Sequence, residues 1–134
     1  MSLQFHHVAI KTSDIFRAIA FYEGLGFVVT ERFTAGITLA CWMCGAGMHL
    51  ELMQVPEPKP SPNPYSNEHY VGYYHLSFYV DNLETTLQEL VNRLGKVKLL
   101  LPPQTQVIGD RTYQVAFITD PDGLPIELLA KNEN

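Results

Sequence analysis

The sequence predicts an α+β chain in which one βαβββ module is built twice. Three observations carry this. Residues 5–10 (FHHVAI) and 74–80 (YHLSFYV) are short runs rich in β-branched and aromatic residues, the mark of strands. Each run is followed at once by apolar residues at helical spacing. Three further strand candidates then follow each helix, on either side of a proline-rich segment. Identity between the halves is almost nil beyond His7 and His75, so the repeat is one of pattern.

In the first half, Ser13 is the expected N-cap, and Ile15, Ala18, Ile19 and Tyr22 form the apolar stripe until Gly24 or Gly26 stops the helix. Strands are expected at about 27–34, 37–43 and 48–55, with a hairpin turn at Gly45-Ala46-Gly47. In the second half, Asp81-x-x-Glu84 has the layout of a capping box. Leu83, Leu87, Leu90, Val91 and Leu94 form the stripe, and Gly95 is the stop. Strands are expected at about 97–101, 112–119 and 125–130, with a turn at Asp120-Pro121-Asp122-Gly123. Between the halves, Pro at 56, 58, 60, 62 and 64 favours an extended, stiff connector over 56–72. The 134 residues suit a single domain, with modules at about 1–55 and 73–134.

Composition narrows the function classes. Nine Lys+Arg against 14 Asp+Glu give a net charge of −5, whereas nucleic acid and anionic membrane surfaces both call for a basic footprint. No apolar run approaches the ~20 residues of a spanning helix, and the start lacks a basic stretch followed by an apolar one. The two cysteines are too few for a disulfide framework. Cytoplasmic residence is the expectation. Cys41-Trp-Met-Cys44 ends a strand before a glycine turn; a redox CxxC opens a helix, and a structural zinc needs a second pair.

Strand alternation places His7, Ala9 and Lys11 on one face, and His75, Ser77 and Tyr79 on one face of the matching strand. In the last strand of each half, Leu50-Glu51-Leu52 and Ile126-Glu127-Leu128 hold a carboxylate between two apolar residues. If the apolar neighbours pack under the helices, each Glu points to the opposite face of its sheet. Two neutral imidazoles and two carboxylates sum to −2, which one divalent cation balances. The mixed N/O set suits Zn, Ni, Co, Fe or Mn better than Ca or Mg. His6 and His49 are expected beside the site or on the surface, and His69 in the connector.

The segments FHHVAIKTSDIFRAIAFYEGLGF, MHLELMQ, YYHLSFYVDNLETTLQEL and AFITDPDGLPIELLA resemble the vicinal oxygen chelate superfamily. That superfamily includes glyoxalase I, methylmalonyl-CoA epimerase, extradiol dioxygenases and fosfomycin or bleomycin resistance proteins. The resemblance covers nearly the whole chain, and DPDG followed by Ile-Glu-Leu is its most specific part. It implies paired βαβββ modules in a curved, partly closed mixed sheet around a divalent metal, with ligands at His7, Glu51, His75 and Glu127. Glu51 points to the glyoxalase I-like branch, a lyase or isomerase of lactoylglutathione lyase type that moves a proton next to a carbonyl while the metal stabilises the enediolate. The resemblance implies Glu127 as base, with Glu51 as ligand and second base.

Alternatives on the same fold are an acyl-CoA epimerase, an extradiol-type dioxygenase or a non-catalytic small-molecule binding protein. Glutathione-using members resemble one another in an Arg four residues after the first His and an Asn four after the first Glu. Here those places hold Lys11 and Val55, which argues against glutathione. Lys11 and Arg111 are the candidates for holding an anionic substrate. The resemblance also implies a homodimer, with modules paired within a chain or between two.

Overall fold

The computed structural model describes residues 1–132, so the last two positions of the expected second module lie outside the described residues. Its elements run β1 (Val8–Thr12), α1 (Ile15–Gly24), β2 (Val28–Ala35), β3 (Thr38–Gly45), β4 (Met48–Gln54), β5 (Leu76–Tyr79), α2 (Leu83–Leu94), β6 (Leu99–Ile108), β7 (Arg111–Thr119) and β8 (Pro125–Lys131). This is βαβββ twice, as the pattern predicts. The chain divides into two units, Met1–Pro60 and Ser61–Asn134. Each holds one four-stranded mixed sheet, ordered β1-β4-β3-β2 in unit 1 and β5-β8-β7-β6 in unit 2. The first and last strands of each module run parallel and the remaining pairs antiparallel.

In unit 1, α1 packs on β4 and β2. Its buried residues Ile15, Ala18, Ile19 and Tyr22 are those of the expected stripe, and on the strands Cys41, Met43, Leu50 and Leu52 are buried. Leu50 and Leu52 are fully buried, which stabilises the fold by roughly 1.5–3 kcal/mol each. The cap is one residue later than expected. Asp14, not Ser13, is the N-cap, and its carboxylate accepts from the N–H groups of Phe16 and Arg17. Asp14 has the extended backbone a cap requires, and its charge faces the positive end of the helix dipole. Gln54 accepts from the Ile15 N–H at 2.9 Å and ties the helix start to the end of β4. The turn after β3 has positive φ at Ala46 (51°) and Gly47 (73°), the pairing that a two-residue hairpin of matching twist needs.

Unit 2 repeats the plan with a shallower helix. Asn82 caps α2 by accepting from the Thr85 N–H, so the expected capping box at Asp81 moves by one residue. Leu83 and Leu90 are buried, Leu87 and Leu94 are half-buried, and Val91 is exposed. Gly95 ends the helix with φ 78°. Strand β6 runs to Ile108, well past the expected 101, and contains Pro102 and Pro103. Proline lacks a donor for the ladder, but β6 is an edge strand and its register shifts between Leu101 and Gln104. The turn at 120–123 forms as predicted, with the Asp120 carboxylate accepting from the N–H groups of Asp122 and Leu124. The connector is more than a spacer: Tyr65 donates to the Leu100 carbonyl and lays its ring against Phe117, 5.4 Å between centroids.

Candidate functional site

In unit 1 the candidate residues stand on the face of the sheet opposite α1. The parallel register pairs Ala9 with Glu51, and the antiparallel register pairs Glu51 with Trp42, so these three stand in a row across β1, β4 and β3. His7 immediately precedes β1 on the same alternation. Its Nε2 lies 3.7 Å from Glu51 Oε2. The same oxygen accepts from the Trp42 indole N–H at 2.7 Å. His7 Nδ1 is 2.7 Å from His6 Nδ1, so His6 orients the ring of His7. His6 in turn stacks on His49 (5.9 Å) and meets Trp42 edge-on (5.1 Å).

Unit 2 has the same core with different neighbours. Ser77 pairs with Glu127 across β5 and β8, and Phe117 pairs with Glu127 across β7 and β8. His75 Nε2 lies 3.7 Å from Glu127 Oε1, which also accepts from the Ser77 hydroxyl at 2.6 Å. Aromatic rings wall the imidazole, with Tyr74 at 4.4 Å and Phe117 at 5.0 Å. His75 Nδ1 is buried against them and has no hydrogen-bond partner among the described residues. Burial lifts the Tyr74 phenol above its ordinary value, with Tyr65 and Glu127 adding in the same direction.

The His–Glu separation has a chemical meaning. At 3.7 Å it is too long for a hydrogen bond, whose limit is near ~3.2 Å. Two donors sharing one cation at ~2.0–2.2 Å each stand about 3.4 Å apart in tetrahedral geometry and cannot exceed ~4.2 Å. Both pairs lie in that window. The side chains are 29% and 16% exposed in the first pair and 22% and 15% in the second, shielded yet reachable. Thus each unit supplies one nitrogen and one oxygen suited to a borderline divalent metal. Within the described residues no group of three or more His, Cys, Asp or Glu is arranged to hold a metal ion, and each unit taken by itself presents one His–Glu pair.

The remaining candidates are scattered. Lys11 is exposed, two positions beyond Ala9 on the strand face that carries Glu51, and faces Met53 in register. Arg111 opens β7 opposite Ile108, six residues and so about 20 Å along the strand from Phe117; it is not beside Glu127 within its unit. The Val55 N–H donates to the Thr12 carbonyl and extends the parallel ladder. His69 is exposed in the connector. Cys41 faces Leu52 and Cys44 faces His49, on opposite sides of the sheet, and both thiols are free. Burial raises the Cys41 thiol above its ordinary value, against the opposing pull of Arg32. Sequence reading missed Trp42 and Ser77 as partners of the two carboxylates. Alternation had already put Ser77 on the face of His75, but nothing short of strand register aligns Trp42 with Glu51.

Residues 4–128 match the Glyoxalase/Bleomycin resistance protein/Dioxygenase superfamily. The chain belongs to that superfamily. It is 30% identical over 131 residues to the uncharacterized protein YaeR of Escherichia coli, covering 93% of this chain and 94% of that one. A glyoxalase family protein from Enterococcus faecalis has a crystal structure that covers 94% of this chain and 96% of its own, with TM-score 0.75 and 27% identity. A glyoxalase I variant from Zea mays shares the fold at 18% identity and TM-score 0.71, over 95% of this chain and 44% of its own. As a superfamily member the chain has the doubled βαβββ architecture that its sequence predicts. No described helix is long and apolar enough to cross a membrane.

Proposed function

We propose that this superfamily member is a metal-dependent lyase or isomerase of the glyoxalase I type, moving a proton between two carbons, one of them a carbonyl carbon. The observation that carries the reading is the pair of His–Glu contacts, each 3.7 Å, at the same place in both modules. His7, Glu51, His75 and Glu127 would hold one divalent ion of Zn, Ni, Co, Fe or Mn type, drawn from one chain or from two copies in a homodimer. When bound, the metal acts as a Lewis acid that polarises the substrate's oxygens and makes the neighbouring C–H more acidic.

The protein's own groups do the rest. Glu127 takes the proton from the carbon beside the carbonyl and returns it to the carbonyl carbon while the hydroxyl proton passes from the first oxygen to the second, so the substrate is isomerised with no net gain or loss of atoms. His6 keeps Nε2 of His7 aimed at Glu51. Lys11 offers a cation on the same sheet face for an anionic group of a small-molecule substrate. Lys11 and Val55 supply neither a bidentate fork nor a side-chain amide, so a thiol other than glutathione fits this chain better.

The test is elemental analysis after mild purification and reconstitution with nickel, cobalt or zinc, followed by assay with methylglyoxal and a panel of thiols. Stoichiometric metal with deuterium uptake from solvent and no oxygen consumption supports the proposal. Oxygen consumption with ferrous iron would select ring cleavage instead, and failure of every metal to bind would end the reading.

A further inference from the structure

The two modules repeat the His–Glu pair but not what holds the carboxylate. Glu51 has Ala9 on its parallel side and Trp42 on its antiparallel side, whereas Glu127 has Ser77 and Phe117 at those same register positions. In unit 1 the donor therefore comes from the antiparallel neighbour and the parallel neighbour is blank. In unit 2 the arrangement is reversed. Each carboxylate has one neutral donor on the very oxygen that faces its histidine, Trp42 at 2.7 Å on Glu51 Oε2 and Ser77 at 2.6 Å on Glu127 Oε1.

The donors differ in kind. An indole N–H can only donate. The Trp42 ring is also held edge-on by Phe33 at 5.5 Å and His6 at 5.1 Å, so it has little freedom to turn away. The clamped indole N–H therefore holds Glu51 Oε2 in one orientation. A serine hydroxyl donates one hydrogen and accepts through two lone pairs, and it rotates freely about its C–O bond. The Ser77 hydrogen can therefore follow Glu127 Oε1 as that carboxylate turns, so the contact is not tied to one orientation of the carboxylate.

We propose that Trp42 and Ser77 are positioning residues that make the two carboxylates unequal, Trp42 fixing Glu51 in one orientation as a ligand and Ser77 leaving Glu127 free to turn toward the substrate. This rests on the metal-dependent proton-transfer reading above. It adds a reason, internal to this chain, for which carboxylate moves the proton.

The experiment compares Ser77→Ala, Ser77→Thr and Trp42→Phe in the full chain loaded with nickel, using the hemithioacetal of methylglyoxal that the wild type turns over fastest. Nickel affinity is measured by calorimetry, with wild-type quenching of the chain's single tryptophan as an independent readout beside Glu51. Ser77→Ala should lower kcat by about 10–100-fold, the usual range for lost support of a site residue, while KM and nickel affinity stay within about twofold. Ser77→Thr, which keeps the hydroxyl, should restore most of kcat. Trp42→Phe should weaken nickel binding by about 10–100-fold and leave kcat at saturating nickel within a few-fold.

Equal patterns for Ser77→Ala and Trp42→Phe, or a threonine variant no better than alanine, would overturn the assignment while leaving the metal reading intact. So would a wild-type tryptophan whose emission ignores nickel. Should Trp42→Phe not fold, the quenching in Glu51→Gln takes its place, and quenching equal to wild type counts against the Trp42 role. A wild type with neither nickel binding nor turnover defeats the underlying reading and this inference together.

Discussion

Replacing His75 by alanine removes one of four proposed donors while leaving Glu127 on Ser77, and its effect on metal-dependent stability can be worked out in advance. Unfolding entropy of ~2.1 cal/mol/K per residue gives about 0.28 kcal/mol/K for 134 residues. A ligand at ~100 times its Kd stabilises by about 2.7 kcal/mol, which raises Tm by about 10 °C. Loss of a group that merely supports a ligand costs ~10–100-fold in affinity, so loss of a ligand costs at least the upper figure. At the same nickel concentration the variant then sits near its own Kd, keeps only ~0.4 kcal/mol and shifts by about 1.5 °C. Differential scanning fluorimetry with and without nickel reads this directly. Because one ion is proposed to draw on both pairs, His7→Ala must behave alike, and wild type must bind one nickel per chain. A full 10 °C shift in His75→Ala, or two nickel ions per chain of which each variant loses one, would refute the four-donor reasoning.

The hairpin between β3 and β4 offers two further tests. A Cβ on Gly45 would stand 2.8 Å from the Phe27 ring and 2.9 Å from its backbone, so Gly45→Ala should cost ~1–3 kcal/mol in urea unfolding. Ala46 is the one non-glycine with positive φ among the described residues, and Ala46→Gly should raise stability by ~0.5–1 kcal/mol, with no gain counting against the strain. Cys41 is 1% exposed and burial holds its thiol above the ordinary 9.0, so the neutral form is favoured in the fold. That stabilisation is complete below about pH 9 and is lost as pH rises through the folded value. Cys41→Ala should therefore lose less stability than wild type between pH 8.5 and ~10.5, and iodoacetamide at pH ~8 should label Cys44 before Cys41.

Much of this molecule is local and therefore legible. Apolar spacing located both helices, because a helix reports its buried face within one turn of sequence. Gly95 and the Asp120–Gly123 turn were readable for the same reason. Both helix starts were misread by one residue, since Ser13 and Asp14, like Asp81 and Asn82, are all competent caps and only backbone geometry selects between them. The length of β6 was hidden by Pro102 and Pro103, whose exclusion holds for central strands; which strand lies at the edge is settled by the order of the whole sheet.

Alternation along single strands was enough to place His7 with Lys11, to place His75 with Ser77, and to turn Glu51 and Glu127 away from their leucine and isoleucine neighbours. By itself, then, the sequence determined the doubled module and the faces, and it singled out the four residues proposed to hold a cation. Only tertiary structure decided who touches them. Ser77 and Glu127 are 50 residues apart and Trp42 lies on a different strand from Glu51, so their contacts depend on register, which is set by the pairing of whole strands and by the turns between them. Register is also what gives two modules with the same His–Glu pair different donors, and it is on that difference that the proposed division of roles between Glu51 and Glu127 rests.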